Sequence, residues 1–577
     1  MRGEGVMAES IRDGVAESAV PRVTVTPGDQ TAASLPIAGS EPAPVPAAAA
    51  APPAAMPTWR MGIYMVSGMM LFLTQGLGMN IVNANLYQLQ GEFSSSVNEV
   101  VWLSAAYVAP YASLSAALFK IRAQYGLRPF AQFSILIFIV ASCLNLLVSD
   151  LHSAIVVRFI SGMAAAPLSS LGFLYMLEAF PPQRKLTVGL SLALLCTLLA
   201  APVARIVSPS LMQIGGWEGL YTFEMALALI ALPIIYLLPL TAPARANVIE
   251  RMDILSYLLL ATGLGCIAIF FTVGRFYWWF DAPFLGLLLA AAVACLTVMA
   301  LIELPRKNPL IDLRWVFSRE NIHMAGVLLL FRAVTSEQSS TAPGFYQQLG
   351  LVNDQTIMLY VVILLASIVG GLFCVLLMTT RYVDTAHSIA LVLIATGAYL
   401  DSQATNLTRP EQMYLSQAMI AAGAAMFLPP VMAKGFGGAL AKGLPYLVNF
   451  IAIFLFTQII GSTMATAALG TFVTIREKFH SSVLVDRLLL SDPLVAQRLA
   501  QLTASYGRVI TDKVLLNAEG LTLLGTQVTR EAYVLAYADT FLVISFAALA
   551  GLVLLLAHMA WLRLSAARAA PSPSSLS

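Results

Sequence analysis

Two ionisable side chains lie in an otherwise apolar part of the chain, the stretch VLLLFRAVTSEQSST from Val327 to Thr341. Arg332 follows a run of leucine and phenylalanine, and Glu337 falls within an unbroken polar run that begins at Thr335. An ionisable group inside a membrane costs at least ~2.5 kcal/mol and by default marks a functional site. A carboxyl group there can load and release a proton, whereas a guanidinium group can bind an anion.

Two interpretations stay open for each of these side chains. Glu337 is either a proton or cationic-substrate site in a central cavity, or half of a permanent ion pair with an arginine in the membrane. Arg332 is either an anion-binding group or a structural partner for another helix. The two lie about 140° apart around a helix, so they do not share a face.

Three further ionisable groups fall in apolar stretches, namely Arg158, Arg205 and Glu224. Arg158 has a functional interpretation and an equally good one as a residue of helix packing. Arg205 is best explained structurally, as a partner for Glu224 or Glu337. All of these groups, together with Glu337 and Arg332, are candidates for coupling protons or substrate.

Uncharged polar residues extend the candidate site. The polar run is too long to face one stripe of a helix, which favours surroundings of protein or water over lipid. Ser336 and Ser340 are therefore predicted to line a cavity. Asn80 and Asn83 form a second stripe with Gly76, for which hydrogen bonding between helices is an equally good explanation.

Membrane helices must position these groups, because the chain is too apolar for a soluble protein. Hydrophobic residues make up 59%, charged residues 11%, and the mean hydropathy is +0.80, whereas soluble domains are about 25% charged. A spanning helix needs roughly 20 mostly apolar residues, and the sequence predicts fourteen. Their centres lie near Leu71, Ala109, Phe138, Ile160, Leu194, Ile230, Gly263, Ala291, Ala333, Ser367, Ala395, Met426, Gln458 and Ala548.

The ninth predicted span is too short unless its polar run is included. Ile322 to Val334 would reach only ~20 Å, against a hydrocarbon core of ~30 Å. We therefore expect the helix to continue through the polar run toward Phe345, although a loop after Val334 is an alternative. With both termini in the cytoplasm, the short outward loops hold only Arg275 and Arg409, as the positive-inside rule requires.

Several classes of function are excluded by the motifs. The chain has no phosphate-binding GxxxxGK[ST] loop and no GxSxG nucleophile motif, and its cysteine and histidine residues do not show metal-ligand spacing. We expect no cofactor, no metal, no nucleic-acid partner and no enzymatic activity. If the protein carries out an energy-requiring process, we expect an ion gradient to supply the energy.

Short motifs make the chain resemble a known family. VVRFISGMAAAP contains Arg158 and Gly162 of a fourth-helix motif, and NIVNANL resembles the end of the first helix. ERMDILSYLLLATGLG, REKFHSS and VLAYADTF resemble the seventh helix and the edges of a long outward loop. Across residues 60–562 the chain resembles the fourteen-helix, EmrB-like drug:proton antiporters of the major facilitator superfamily.

Other positions depart from the family pattern. The resemblance implies an acidic residue in the first helix where this chain has Gly78. In the loop after the second helix, FKIRAQYGLR keeps Gly126 and Arg128 but has Ala123 in place of an aspartate. In the fifth helix, APVARI keeps Pro202 and has Arg205 at a glycine site.

The resemblance implies an all-α integral membrane protein with a major facilitator fold of 14 transmembrane helices. The Pro/Ala-rich composition of residues 1–57 predicts a disordered cytoplasmic tail. In chain order, the other predicted units are a six-helix bundle at 58–240, inserted helices 7 and 8 at 251–304, a second six-helix bundle at 320–562 with a long periplasmic loop at 476–531, and a cytoplasmic tail at 563–577. Within the loop, residues 494–510 are predicted to form one helix that begins at about Pro493.

The resemblance also implies a function. We expect a secondary transporter of the bacterial inner membrane that exports small amphipathic compounds in exchange for protons. A carrier for an anionic metabolite or siderophore is one alternative, and a non-transporting sensor or assembly subunit is another. The expected partners are the substrate, protons and the lipid bilayer, with a periplasmic adaptor and an outer-membrane channel as a hypothesis for the long loop, for which a simple lid is the alternative.

Overall fold

All regular structure in the described part of the chain is helical. The computed structural model describes residues 56–241, 245, 247–380, 382–489 and 491–569. The first half contains α1 (Thr58–Ala84), α2 (Leu86–Glu92), α3 (Val97–Tyr125), α4 (Leu127–Asn145), α5 (Leu151–Glu178), α6 (Pro182–Arg184), α7 (Leu190–Leu237), α8 (Arg251–Tyr277) and α9 (Pro283–Glu303).

The second half contains the remaining helices and short irregular turns that join them. The helices are α10 (Leu313–Val316), α11 (Arg319–Ser336), α12 (Ala342–Gln348), α13 (Ile357–Met378), α14 (Val383–Asp401), α15 (Tyr414–Lys442), α16 (Leu444–Asp486), α17 (Pro493–Ser505) and α18 (Lys513–Ala569). A π-helical turn, Glu337–Thr341, connects α11 to α12, and a 3-10 turn, Asn353–Thr356, leads into α13.

The helices pack as two groups and a pair. The N-terminal group consists of α1, α3, α4, α5 and α7, and the C-terminal group consists of α11, α13, α14, α15, α16 and α18. The inserted pair, α8 and α9, packs against α3 and α16. Each group has a large apolar core, to which a few residues of the other group contribute. The exact boundaries of the units stay a prediction.

The count of membrane spans differs from the predicted fourteen. Within the described residues, eleven helices are long and apolar enough to cross a membrane, or twelve if the bent α3 counts as one span. Two predicted spans share α7, whose backbone leaves helical geometry at Gly215 and Gly216. The ninth predicted span, α11, is too polar to qualify. All fourteen predicted centres lie within helices, but the count of fourteen is not confirmed.

Gly216 makes the bend in α7 possible. Its φ is +51°, a conformation that residues with a Cβ rarely adopt. A Cβ at this position would also come within 2.5 Å of the Glu92 carboxylate. The bend therefore depends on glycine, and it returns the second half of α7 to the N-terminal group.

The ninth predicted span continues through its polar run, as expected, and the alternative of a loop after Val334 is wrong. α11, the π-helical turn and α12 follow one another without a break. Pro343 lies in the first turn of α12 and has no N–H to donate to a carbonyl one turn earlier. The wider π turn accommodates this missing hydrogen bond.

The predicted long loop at 476–531 is mostly helical. α16 continues to Asp486, and α18 begins at Lys513. The predicted helix in this region is α17, which ends at Ser505 rather than at residue 510. α17 lies on α18, where Arg498 donates a hydrogen bond to Gln527 at 3.2 Å. This packing stabilises a helical extension where the polarity of the sequence favoured a loop.

The predicted terminal tails lie mainly outside the described residues. For 1–57, only Met56 and Pro57 are described. At the other end, α18 continues to Ala569, so the predicted tail at 563–577 begins as helix, and residues 570–577 lie outside the described part.

A cluster of ion pairs connects the inserted pair of helices to α3. Arg306, just after α9, lies 2.8 Å from Glu250, 2.8 Å from Asp253 and 2.7 Å from Glu303. Lys120 of α3 lies 2.8 Å from Asp253. The hydrogen bond from Arg306 lowers the pKa of the Glu250 carboxyl group. The cluster thus joins α3, α8 and α9 at one end of the molecule.

Candidate functional site

A cavity of about 370 Å³ lies between the two groups of helices. This volume is in the range of sites that hold drug-sized molecules. All three parts of the fold contribute to its wall. The polar and aromatic lining residues include Asn80, Asn83, Ser104, Arg205, Phe271, Arg275, Phe276, Arg332, Thr335, Gln338, Ser340, Gln347, Tyr360, Gln458, Ser462 and Tyr537.

The charge on the described wall of the cavity is entirely positive. Its ionisable charged residues are Arg205 from α7, Arg275 from α8 and Arg332 from α11. Described aspartate, glutamate, lysine and histidine residues are absent from the lining. None of the three arginines forms an ion pair with a described residue.

Aromatic rings support the arginines in place of carboxylates. The guanidinium carbon of Arg205 lies 5.2 Å from the ring centre of Tyr360, and that of Arg275 lies 4.4 Å from the ring centre of Phe276. Such cation–π contacts stabilise a charge without neutralising it. The sequence interpretation of Arg205 as a partner for Glu224 or Glu337 is therefore wrong in this structure.

Arg275 was expected in a short outward loop, but it lies in the last turn of α8 and lines the cavity. It reaches the wall across Gly470 of α16. A Cβ at position 470 would come within 2.5 Å of Arg275 Nη1. The small size of Gly470 thus positions this arginine.

Most of the predicted uncharged cavity residues lie on the wall. Asn80, Asn83 and Ser340 line the cavity, and Asn83 Oδ1 accepts a hydrogen bond from Ser104 at 2.6 Å. Ser336 does not line the cavity, because its side chain is buried and donates a hydrogen bond to the Arg332 carbonyl of its own helix at 2.7 Å. The placement of Ser336 in the cavity was therefore wrong.

Glu337 also lies behind the wall and not on it. Its side chain is fully buried, and it points into the C-terminal group. Gln417 Nε2 of α15 donates to Glu337 Oε1 at 2.8 Å. The alternative of a permanent ion pair is not observed, because no described arginine or lysine lies within ion-pair distance of Glu337. Its role as a proton site stays a prediction.

Asp401 completes a buried cluster with Glu337. The same Gln417 Nε2 that bonds Glu337 also donates to Asp401 Oδ2 at 2.8 Å, and Ser416 donates to Asp401 Oδ1. Glu337 Oε2 has no hydrogen-bond partner. Two buried carboxyl groups that share one amide nitrogen as donor are suited to share protons.

Gln338 connects this cluster to the cavity. Its side chain lies on the wall, and its Nε2 donates to the Gln417 carbonyl at 2.8 Å and to Gln417 Oε1 at 3.3 Å. Glu337 and Gln338 are adjacent in the π-helical turn, which directs one side chain behind the wall and the other onto it. The turn therefore joins buried carboxyl groups to the cavity through two amide side chains.

Arg158 lies in a second buried site, within the N-terminal group. Its Nη1 donates to the Gly78 carbonyl at 2.8 Å and to the Tyr221 hydroxyl at 2.9 Å. Its guanidinium carbon lies 4.1 Å from the ring centre of Tyr107, and its Nη2 has no partner. The same α5 carries Gly162, where a Cβ would come within 2.2 Å of a backbone oxygen of α3.

Glu224 occupies the space beside Gly78. A Cβ at position 78 would lie 3.0 Å from Glu224 Oε1. Glu224 is 1% exposed, and its Oε2 has no hydrogen-bond partner. Its carboxyl group does not form a contact ion pair with Arg158 within the described structure. Arg158, Gly78 and Glu224 are thus brought together as a compact unit with two unsatisfied polar atoms.

The remaining motif residues have structural surroundings. Gly126 separates α3 from α4 with a φ of +88°, and a Cβ there would meet Arg245. Arg128 is exposed, and Ala123 lies in the last turns of α3. Pro202 is a buried wall residue inside α7. Their roles in gating stay a prediction.

Sequence reasoning missed Asp401 and Gln417. Asp401 is the last residue of α14 and precedes the polar segment SQATN, so it looked like the start of a loop. A long apolar run that ends on a carboxylate was the available signal. Within the described residues there is no group of three or more His, Cys, Asp and Glu residues that could hold a metal ion.

Long apolar helices around a polar, positively charged cavity define a multi-pass membrane protein. The model of the Major Facilitator Superfamily matches residues 68–474, and the chain belongs to that superfamily. This confirms the predicted family and the predicted all-α fold.

Curated relatives carry names of export and resistance proteins. The chain is 24% identical over 247 residues to the multidrug export protein EmrB of Haemophilus influenzae, covering 42% of this chain and 48% of the relative. It is 25% identical to the methylenomycin A resistance protein of Bacillus subtilis, covering 42% and 51%. It is 26% identical to the fatty acid resistance protein FarB of Neisseria gonorrhoeae, covering 30% and 34%. The matches thus span about half the length of the first two relatives.

Solved structures of transporters superpose on most of the chain at low sequence identity. A proton:xylose symporter, XylE, superposes with a TM-score of 0.49 at 14% identity, covering 85% of this chain and 95% of that chain. The human organic anion transporter MFSD10 superposes with a TM-score of 0.49 at 12% identity, covering 85% and 100%.

Proposed function

We propose that the protein is a secondary active transporter that exports small amphipathic compounds across the bacterial inner membrane in exchange for protons. The observation that carries the proposal is the link from the cavity to a buried pair of carboxyl groups. Glu337 and Asp401 are both 2.8 Å from Gln417 Nε2, and Gln338 bonds Gln417 from the cavity wall.

Through these hydrogen bonds, proton binding to the carboxyl groups would change the position of side chains on the cavity wall. Both protons of the Gln417 amide nitrogen are donated to carboxyl oxygens. A change in the charge of either carboxyl group alters the strength of these hydrogen bonds. Gln417 would shift with them, and Gln338 would follow because it bonds both the backbone and the side chain of Gln417. The wall of the cavity would thus differ between the protonated and deprotonated states.

The proposed orientation places both termini in the cytoplasm, according to the distribution of positive charge. Asn80 and Asn83 near the outer end of α1 then put the cavity in the outer half of the membrane. On the cytoplasmic side, Leu195 of α7 packs against Gly371 of α13. Rocking of the two groups about the cavity would open this contact and expose the site to the cytoplasm.

A periplasmic adaptor is the proposed partner, because the resemblance to EmrB-like exporters implies one and relatives named multidrug export protein EmrB match this chain. The helical extension formed by α17 and the outer ends of α16 and α18 is the proposed docking surface, with a channel of the outer membrane beyond the adaptor. Deletion of residues 494–516 is expected to abolish crosslinking between the chain and the adaptor. Unchanged crosslinking would assign the extension to a lid.

Export from intact cells tests the main proposal. In cells without their own pumps, we expect the protein to lower the accumulation of lipophilic dyes, and an uncoupler to abolish this effect. Glu337→Gln and Asp401→Asn are each expected to reduce export at least about tenfold, since a catalytic proton-transfer group typically contributes 10²-fold or more.

Glu411→Gln is the matched control, because Glu411 is an exposed carboxylate outside the cavity. It should export at the rate of the unmodified protein. Export that persists in both Glu337→Gln and Asp401→Asn, at equal amounts of protein in the membrane, would contradict the proposed coupling site.

A further inference from the structure

We infer that the cavity binds organic anions with an apolar or aromatic body. The inference rests on the proposed transport function and names the substrate class of the same cavity. It is carried by Arg205, Arg275 and Arg332, which bring three positive charges to one wall without a described carboxylate among the lining residues.

The buried acidic groups in the two groups of helices face away from the cavity. Glu337 and Asp401 bond Gln417 inside the C-terminal group, and Glu224 packs against Gly78 inside the N-terminal group. The three arginines therefore keep their charge toward the cavity. Unpaired charges inside a membrane are costly, and an anion that binds the arginines removes part of that cost.

The chemistry of the wall selects the shape of the anion. A guanidinium group presents paired N–H donors that match a carboxylate or sulfonate. The rings of Phe271, Phe276, Tyr360 and Tyr537 provide apolar contact beside the arginines. A small inorganic anion would leave this surface unused, so the wall fits a molecule with an acidic head and an apolar body.

The three arginines come from different parts of the fold. Arg205 belongs to the N-terminal group, Arg275 to the inserted pair and Arg332 to the C-terminal group. An anion held by all three would bridge parts that move relative to one another during transport. The inserted pair therefore contributes directly to the binding site.

Equilibrium binding separates this inference from the transport proposal, because binding is measured without transport. The full chain in lipid nanodiscs is titrated with three compounds that share one ring system, namely 2-naphthalenesulfonate, neutral 2-naphthalenesulfonamide and cationic 2-naphthylmethylammonium. We expect the sulfonate to bind at least about tenfold more tightly than the neutral compound, since a hydrogen bond to a charged group contributes ~1.5–3 kcal/mol. The cation should bind most weakly.

Substitutions then test which arginines bind the sulfonate. Arg205→Gln, Arg275→Gln and Arg332→Gln are each expected to weaken sulfonate binding about tenfold or more and to leave binding of the sulfonamide within about twofold. Gly470→Ala should weaken sulfonate binding less than Arg275→Gln does, because the added methyl group displaces the Arg275 guanidinium group without removing it. Arg409→Gln, an exposed arginine outside the cavity, is the matched control.

Several outcomes would overturn the inference. Tighter binding of the cation, equal binding of all three compounds or no binding of the sulfonate would each do so, and these comparisons need no variant to fold. The titration is repeated in zwitterionic and anionic lipid. Sulfonate binding that is lost only in anionic lipid would assign the arginines to a lipid headgroup instead.

Discussion

The Glu224 carboxyl group from α7 lies beside a position of α1 that has no acidic side chain. Position 78 is glycine, and the Glu224 carboxyl group from α7 lies 3.0 Å from the place of the missing Cβ. Arg158 bonds the carbonyl of the same glycine. The resemblance to antiporters implied an acid at position 78, and in this structure a carboxyl group from another helix lies beside that position.

This placement predicts that an acidic residue at position 78 can partly replace Glu224 in proton-coupled export. Glu224→Ala is expected to reduce proton-coupled export at least about tenfold, as for loss of a proton-transfer group. The double variant with Gly78→Asp as well should recover part of that loss, because the aspartate would occupy the space that Glu224 vacates. Initial rates of dye export, normalised to protein in the membrane, measure the effect.

Gly78→Asn combined with Glu224→Ala is the matched control, since it fills the same space without an acid. A double variant with aspartate that is no better than Glu224→Ala alone would show that the carboxyl group matters only for packing. Equal recovery with asparagine would lead to the same conclusion.

The sequence located most of the charged residues but not their surroundings. Glu337, Arg332 and Arg205 stood out because a charge in an apolar run is costly. Which way each side chain points depends on the π-helical turn and on neighbouring helices, and neither can be read from one segment. Asp401 was overlooked because it ends its helix beside polar residues.

Among the helices, the inserted pair depends on the charge cluster around Arg306. Its side chain is 12% exposed, and Glu303 beside it is fully buried. Removing one partner of a buried ion pair is far more destabilising than removing one partner on the surface, because the remaining charge is left uncompensated. The cluster should therefore hold α8 and α9 against α3.

Arg306→Ala is expected to lower the free energy of unfolding by about 3 kcal/mol, since it strands a buried carboxylate. Lys185→Ala is the control, because Lys185 pairs with Glu178 at 3.6 Å with more exposure, and its loss should cost about 1 kcal/mol or less. Thermal unfolding of the purified chain in detergent compares them. Equal shifts in Tm would contradict a structural role for the cluster.

Helix existence could be predicted from apolar length, whereas helix boundaries could not. Each predicted span centre lies in a helix, because a run of apolar residues with satisfied backbone hydrogen bonds has few alternatives in a membrane. The bend at Gly216 and the extension of α18 beyond the apolar region depend on contacts with Glu92 and α17. Such contacts join segments that are distant or polar in the sequence.

For the whole molecule, the proposed function assigns substrate binding to the positive cavity and proton binding to the buried carboxyl groups. The arginines face the cavity, and the carboxyl groups lie behind it in the C-terminal and N-terminal groups. Substrate and proton would therefore bind at separate sites that communicate through Gln338 and Gln417. A fold-level match could predict the cavity but not this division, which depends on the individual residues.

Proton movement driven by substrate tests this account most directly. The purified chain is reconstituted in liposomes that contain a pH-sensitive dye, and 2-naphthalenesulfonate or tetraphenylphosphonium is added on one side, with protein-free liposomes as the reference. The account predicts substrate-dependent proton movement for the unmodified protein, reduced to the reference level in the double variant Glu337→Gln and Asp401→Asn. Absence of such movement with either compound, or its persistence in the double variant, would contradict proton coupling through this buried pair.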